Sequence, residues 1–249
     1  MQTDFPHQVS FPVMGYNIID GKVKTDNLYG TASYLGNRIF ITAGHSILNA
    51  KESKYMGLAF RDHHYSKSGY TYILIKDYEI FKDLDLALLR LDDDNFEATA
   101  EIWTLKQTEF LKDVFTIGYP FGYNSLEKEL VVRGLKGHIV TRRHFHEFQN
   151  KPLIYELSFH CPRGVSGASL KNIETNHIKG FIIDNASTEI SVFKETEITQ
   201  DQKERTVYEK VETTKYGVAI TIANLIDKNS RILNTTFRKY LKKQNLLIE

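Results

Sequence analysis

The chain has 249 residues, of which 41% are hydrophobic, 25% charged and 12% aromatic, and its formal net charge at pH 7 is +1. This composition is that of an ordinary globular protein, long enough for one large domain or two small ones. A near-neutral charge without a basic stripe argues against a surface dedicated to nucleic acid or to an acidic membrane. We therefore expect neither nucleic acid nor membrane among the partners.

The single cysteine, Cys161, excludes an internal disulfide and is typical of proteins from a reducing compartment. The segment 1–30 lacks the pattern of a secretory signal, and no apolar run approaches the length of a membrane span. We therefore predict a cytoplasmic protein, with Cys161 as a buried structural thiol. No cofactor is expected, and His144 and His146 lack a third ligand at matching spacing, so no metal site is predicted.

Short strands separated by glycine turns make up most of the chain. The alternation from Val9 to Ile19 predicts two β-segments, and the runs 30–35 and 39–45 predict a hairpin around the turn Gly36-Asn37-Arg38. Further strands are expected at 70–75, 86–91, 114–118, 130–132, 138–141, 153–159, 178–183 and 215–222. Many short strands of this kind favour a pair of antiparallel β-barrels.

Two segments of the second half depart from the strand pattern. Residues 187–214 are charged and poor in apolar side chains, which predicts a mobile excursion from the barrel. From Ala223 to Leu247 the apolar residues follow helical spacing, which predicts a C-terminal α-helix. The fold class expected is thus all-β, with two six-stranded barrels and one terminal helix. Residues 1–108 would form the first barrel, and residues 109–249 the second barrel and the helix.

Three residues have the chemistry of a nucleophilic site. Ser166 lies between two glycines in Gly164-Val165-Ser166-Gly167, and a serine nucleophile needs a base and donors for the developing oxyanion. Gly164 can turn its N–H toward the same point as that of Ser166, and Gly167 would let substrate backbone approach closely. His45 follows small residues that leave space beside its ring, and Asp85 opens a strongly apolar strand. An imidazole N–H would satisfy that carboxylate and fix the tautomer of a general base.

These pieces together resemble the trypsin-like serine proteases. Thr42-Ala43-Gly44-His45 is similar to the family's histidine motif, Asp85-Leu86-Ala87-Leu88-Leu89 to its aspartate motif and Gly164-Val165-Ser166-Gly167 to its serine motif, in the family's order. Ile117-Gly118-Tyr119-Pro120-Phe121-Gly122 resembles an element of the bacterial high-temperature-requirement, or Do-like, branch. The resemblance covers about residues 28 to 240. Because the chain ends near residue 249, we expect it to lack the PDZ module that many Do-like proteases carry.

The resemblance implies a serine endopeptidase that cleaves peptide bonds through an acyl-enzyme. In the mechanism known for the best-studied members of this family, the histidine is both general base and general acid. His45 would have this role here, and Asp85 would orient it. Ser166 would be the nucleophile, and the N–H groups of Gly164 and Ser166 would form the oxyanion hole. His160 would lie at the base of the primary specificity pocket, and Ile183, Asp184 and Asn185 would pair with substrate by β-addition.

Val165 is a departure from the family pattern, which usually has Asp or Asn before the nucleophile. Valine cannot make the buried ion pair that orders the oxyanion loop of cleaved zymogens. The loop is therefore expected to be stabilised by the packing of Val165 or to become ordered only with a partner or substrate.

Two alternatives to a constitutive enzyme follow. One is a trypsin-like protease that stays latent until a regulatory protein partner or a ligand orders its oxyanion loop. The other is a catalytically idle protease fold used as a binding module, which the intact set of His45, Asp85 and Ser166 disfavours. A protein or peptide substrate is the partner implied by the leading hypothesis.

Overall fold

The computed structural model describes residues 9–20, 22–61, 70–94, 96, 98–106, 110–120, 123–124, 129–198 and 205–249. The predicted division at residues 108–109 lies outside these ranges. Strands dominate the described residues, and none of the helices among them is long and apolar enough to cross a membrane.

The first half of the chain forms a closed barrel. Its elements are β1 (Ser10–Ile19), β2 (Lys22–Gly36), β3 (Ile39–Ala43), α1 (Gly44–Ala50), β4 (Tyr55–Arg61), β5 (Tyr70–Phe81) and β6 (Leu86–Leu91). The six strands close in the order β1-β2-β3-β6-β5-β4, with every neighbouring pair antiparallel. The predicted turn joins β2 to β3, where Asn37 and Arg38 have φ values of 50° and 62° in the left-handed region.

The second half of the chain forms an eight-stranded sheet. Its elements are β7 (Trp103–Thr104), β8 (Asp113–Gly118), β9 (Tyr123–Asn124), β10 (Glu129–Leu130), β11 (Arg133–His144), β12 (Leu153–Leu157), β13 (Ser169–Asn172), β14 (Ile178–Ile198), β15 (Arg205–Thr221), a 3₁₀ turn (Ile222–Asn224), β16 (Asn229–Ser230), β17 (Thr235–Thr236), α2 (Phe237–Lys243) and β18 (Leu247–Ile248). The sheet order is β13-β8-β11-β12-β15-β14-β7-β18, and β13 also pairs with β14. That last pairing closes six of the strands into a ring. The prediction of an all-β fold with two barrels is therefore confirmed.

The two barrels share a hydrophobic core. Ile41 and Leu88 of the first barrel belong to the same buried cluster as Phe181 and Ile220 of the second, and Trp103 lies fully buried among them. Burying side chains of this size stabilises the fold by about 1.5–3 kcal/mol each. A core of this kind holds the two barrels together, and it includes Leu84 and Leu86, which flank Asp85.

A C-terminal α-helix is present, as predicted, but it is shorter than the helical spacing from Ala223 to Leu247 indicated. Only Phe237–Lys243 is α-helical, begun by the Thr236 side chain, which accepts a hydrogen bond from the Lys239 N–H. Apolar residues that suggested a long helical stripe, such as Leu225 and Ile232, instead lie in turns and are buried in the core. Asn234, with φ of 54°, interrupts any continuous helix.

The segment 187–214 is not an irregular excursion. Its described residues continue β14 and β15 as an antiparallel ribbon, paired from Ser187 with Lys215 to Ile198 with Arg205. Charged and β-branched residues are frequent here, and the ribbon residues whose burial is described, 187–189, 191–193 and 210–215, are exposed. β14 is consequently 21 residues long, far more than a barrel strand requires.

Candidate active site

His45 and Asp85 lie at the paired ends of two neighbouring strands. Ala43, the last residue of β3, is opposite Leu86, the first residue of β6, so the residues just beyond these ends come together. The Gly44 N–H donates to the Asp85 carbonyl over 2.7 Å, and the His45 N–H donates to Asp85 Oδ1 over 2.8 Å. The second carboxylate oxygen, Oδ2, lies 2.6 Å from His45 Nδ1. The carboxylate therefore contacts both the backbone and the ring of the histidine, which fixes the ring orientation.

Asp85 holds this position through an uncommon backbone conformation. Its φ is 49°, in the left-handed region that aspartate tolerates better than most residues. Gly44 leaves the space this arrangement needs, because a Cβ there would lie 2.9 Å from Asp85 Oδ1. The sequence Gly44-His45 thus allows a close approach between the strand ends that a larger residue would prevent.

The pKa of His45 is raised above its ordinary value. Burial of the ring acts to lower this pKa, but the hydrogen bond and the charge of Asp85, together with the charge of Asp184, outweigh that effect. The His45 side chain remains 39% exposed. An imidazole with an anionic partner and one accessible face is suited to accept a proton from a neighbouring hydroxyl.

Ser166 occupies a tight turn that rests on the first barrel. Thr31 of β2 donates its N–H to the Ser166 carbonyl over 2.8 Å and its hydroxyl to the Gly164 carbonyl over 2.7 Å. Gly167 has φ of 89°, and a Cβ there would lie 2.2 Å from the Thr31 carbonyl and 2.6 Å from the Ala43 nitrogen. The turn therefore contacts the strand end that leads directly to His45.

The space beside Gly167 is filled by the first barrel. The expectation that this glycine serves the approach of substrate backbone is wrong, because Thr31, Thr42 and Ala43 already occupy that side. Among the described residues, the Ser166 hydroxyl makes no hydrogen bond to His45. Such bonds are often absent without substrate and form in the complex.

Residues Pro162 to Val165 form a turn directly before Ser166. The Val165 N–H donates to the Pro162 carbonyl over 3.2 Å, and Gly164 has φ of 97°, as the third residue of a type II turn requires. Within the described part of the chain, the N–H groups of Gly164 and Ser166 donate to no protein acceptor. Val165 is fully buried among Cys161, Ala168 and other apolar residues, so packing stabilises this turn.

The residues predicted to bind substrate surround this turn. His160 is exposed, whereas Ile183 is buried at an irregularity in the pairing of β14 with β15. The Asn185 side chain accepts the Cys161 N–H and donates to the Cys161 carbonyl, each over 2.7 Å. The Asn185 N–H donates to Asp184 Oδ1 over 2.7 Å. At Asn185, β14 is therefore joined to the segment that leads into the serine turn.

Cys161 is buried, as predicted, and burial together with the charge of Asp184 raises the pKa of its thiol to about 12. Such a thiol is unreactive at neutral pH. In the described ranges, no three His, Cys, Asp or Glu side chains gather as a metal site would require.

Sequence analysis missed one contributor to the site and one effect of a predicted residue. The missed contributor is Thr31, which bridges the barrels. Asp184, predicted only to bind substrate, also acts on the electrostatics of His45. Gly30-Thr31 precedes a buried alternation, but nothing in that pattern indicates a contact with a turn more than a hundred residues away.

The fold is that of the trypsin-like serine proteases, as solved structures show. The apo protease domain of MamO from Magnetospirillum magneticum matches with a TM-score of 0.59 and 12% identity, over 91% of this chain and 98% of that one. Rv3671c from M. tuberculosis H37Rv, as the inactive form of a serine-to-alanine mutant, matches with a TM-score of 0.52 and 12% identity, over 88% and 83%. Another inactive-form structure of the Rv3671c protease matches with a TM-score of 0.51 and 12% identity, over 96% and 90%. No protein-family model and no curated protein matches the sequence.

Proposed function

We propose that this protein is a serine endopeptidase with His45, Asp85 and Ser166 as its catalytic residues. The observation that carries the proposal is the double contact of Asp85 with His45, through the ring Nδ1 at 2.6 Å and the backbone N–H at 2.8 Å. An aspartate that only ended a strand would not need to hold a histidine ring in one tautomer. The support from the fold is that the serine turn rests against the same strand end.

The proposed reaction follows from what each group can do. His45 takes the proton of the Ser166 hydroxyl as Oγ attacks the substrate carbonyl, and Asp85 stabilises the imidazolium that forms. The free N–H groups of Gly164 and Ser166 then donate to the oxyanion. His45 returns the proton to the leaving amine, and water hydrolyses the acyl-enzyme by the same route in reverse.

In this proposal, His160, Ile183, Asp184 and Asn185 form the substrate-binding surface. His160, which is exposed, would contact the substrate in the specificity pocket. An extended peptide would pair with β14 beside Asn185.

A second candidate is the same enzyme held latent until a partner or substrate binds. It is favoured by the contact between Asp184 and Asn185, because the carboxylate accepts the N–H that a pairing substrate would need. The carboxylate would have to leave that N–H before substrate could pair.

Labelling with a fluorophosphonate probe tests these proposals, with the Ser166→Ala variant as the control. We expect strong labelling of the wild type alone for a constitutive enzyme. Labelling only after a peptide or protein partner is added would support latency. Absence of labelling under all conditions would reject catalysis and leave the binding module.

A further inference from the structure

We propose that the substrate-binding edge of β14 continues beyond Asn185 to Ser191, so that a long extended segment of substrate pairs with it as an added strand. The segment is the part of the polypeptide that precedes the scissile bond. This inference rests on the proposed peptidase function and deepens it.

The edge in question is open only beyond the serine turn. One side of β14 pairs with β15 from Gly180 to Ile198. On the other side, β13 and β7 pair with the part from Ile178 to Phe181. Ile182 then exchanges hydrogen bonds with the serine turn, accepting from the Gly167 N–H over 2.7 Å and donating to the Ala168 carbonyl over 2.9 Å. Past Ile182, no strand of the described chain covers this side.

The pairing register shows which backbone groups face the open edge. The Gly217 N–H donates to the Phe159 carbonyl over 2.8 Å, on the side of β15 away from β14. Its neighbour Val218 therefore faces β14, where it is opposite Asp184. Since backbone groups point alternately to the two sides of a strand, Asp184 faces β15 and the next residue faces outward. The outward-facing residues are then Asn185, Ser187, Glu189 and Ser191.

The position of Ser166 fixes the direction of the added strand. β14 leaves the serine turn at Ile182 and runs away from it, so a chain that brings its scissile bond to Ser166 runs antiparallel to β14. In the proposed register the third residue before the scissile bond faces Asn185, so the fifth, seventh and ninth face Ser187, Glu189 and Ser191 in turn. The family resemblance implies pairing along Ile183, Asp184 and Asn185, and the longer edge is what this ribbon adds.

The ribbon next to this edge is exposed and carries apolar side chains at its far end. Ser187, Thr188 and Glu189 are exposed. Val192, Phe193 and Val211 are 47%, 51% and 43% exposed, and the pairing register brings them together just beyond Ser191. A long unpaired edge that ends in apolar side chains is a liability in water unless a chain pairs with it. An apolar residue of substrate next to the ninth position would cover these side chains.

Peptide length tests the inference. A short peptide that the protein cleaves is extended on its N-terminal side with Thr-Val repeats, which favour extended backbone, to give five, seven, nine and eleven residues before the scissile bond. We expect kcat/KM to rise in steps up to nine residues, by about tenfold in total, since each step adds backbone hydrogen bonds. Cleavage at a rate independent of length would overturn the inference and leave the peptidase function standing.

Backbone methylation gives the matched peptide control. N-methyl groups on the seventh or ninth residue should remove most of the gain in kcat/KM, because these N–H groups face β14. N-methyl groups on the sixth or eighth residue should leave it. Equal losses from both sets would reject the proposed register.

A pair of substitutions at one position tests the protein side. Glu189→Pro removes an outward N–H without touching the ladder to β15, and Glu189→Ala keeps that N–H. The ratio of kcat/KM for the long and short peptides should fall toward one in Glu189→Pro and persist in Glu189→Ala. If neither variant changes the ratio, the edge is not the binding surface.

A binding experiment with the Ser166→Ala protein separates this inference from the proposed function. Fluorescein-labelled peptides of the same lengths are titrated onto the Ser166→Ala protein and followed by anisotropy. If wild type cleaves nothing while affinity still rises with length, the edge binds chains and the catalytic proposal fails. If affinity does not depend on length, or the protein instead self-associates through this edge in sedimentation experiments, the inference fails.

Discussion

The hydroxyl of Thr31 donates a hydrogen bond of 2.7 Å to the carbonyl of Gly164, so a strand of the first barrel fixes the turn that carries Ser166 in the second. The same hydroxyl accepts the Tyr119 N–H over 3.2 Å, and the Thr31 carbonyl accepts the hydroxyl of Thr42 over 2.7 Å. One threonine thereby links the serine turn, the residue that follows β8, and β3, the strand that leads to His45.

Replacing Thr31 with Val should reduce both stability and activity. The isosteric side chain leaves the Gly164 carbonyl and the Tyr119 N–H without this partner inside the protein, at a cost of about 1–3 kcal/mol in the free energy of unfolding. Because the turn shifts, kcat/KM should fall by about tenfold or more. Urea unfolding and peptide hydrolysis measure the two effects. Thr25→Val, which removes a hydroxyl bonded to Tyr72 at 2.9 Å, is the control and should lower stability with little change in kcat/KM.

Removing the proposed nucleophile or base should nearly abolish hydrolysis. We expect Ser166→Ala or His45→Ala to lower kcat by a factor of about 10⁴ to 10⁶, as deletion of a triad member does elsewhere. Ser158→Ala removes an exposed serine whose hydroxyl only accepts the His138 N–H, so it should keep activity. A loss of less than tenfold in Ser166→Ala would mean that another residue is the nucleophile.

A methyl group at Gly167 should be far more damaging than one at Gly134. In Gly167→Ala the new Cβ meets the Thr31 carbonyl at 2.2 Å, and a φ of 89° strains any L-residue, so we expect a loss of about 3 kcal/mol or more. A Cβ at Gly134 meets nothing within 4 Å, so Gly134→Ala should be neutral or slightly stabilising. Thermal unfolding of the two variants checks this, and similar melting temperatures would contradict the described turn.

The pH dependence of hydrolysis should report the raised pKa of His45. The base must be neutral, so kcat/KM should rise with pH through a midpoint above the ordinary value of 6.5 for histidine. Asp184→Asn removes one of the charges that raise this pKa, and the midpoint should move to lower pH. Asp113→Asn, whose native carboxylate pairs with Lys136 instead, should leave the midpoint in place. An unchanged profile in Asp184→Asn would show that Asp184 does not act on His45.

The local parts of the site could be predicted from sequence, whereas the contacts between distant segments could not. His45, Asp85 and Ser166 each stand in a short motif with a glycine or a strand end beside it, and the alternation of apolar residues predicted most of the barrel strands. The bridge from Thr31 to the serine turn and the influence of Asp184 on His45 depend on barrel closure, which no local pattern records.

The two errors of element type have a common physical origin. In the ribbon of β14 and β15 beyond residue 187, the residues whose burial is described are exposed, so they have no buried face to impose an apolar alternation, and the charged sequence resembled a loop. In the C-terminal segment, Ile226 and Leu233 fill the shared core from turns, and their spacing imitated a helical stripe. In both cases tertiary pairing decided the structure rather than local propensity.

The full burial of Val165 has a consequence for how the serine turn responds to its surroundings. A turn fixed by an ion pair loosens as ionic strength rises, because salt screens its charges. Contacts among Val165, Cys161 and Ala168 involve no charge, so the conformation of this turn should persist in concentrated salt and yield first to agents that weaken apolar association, such as urea.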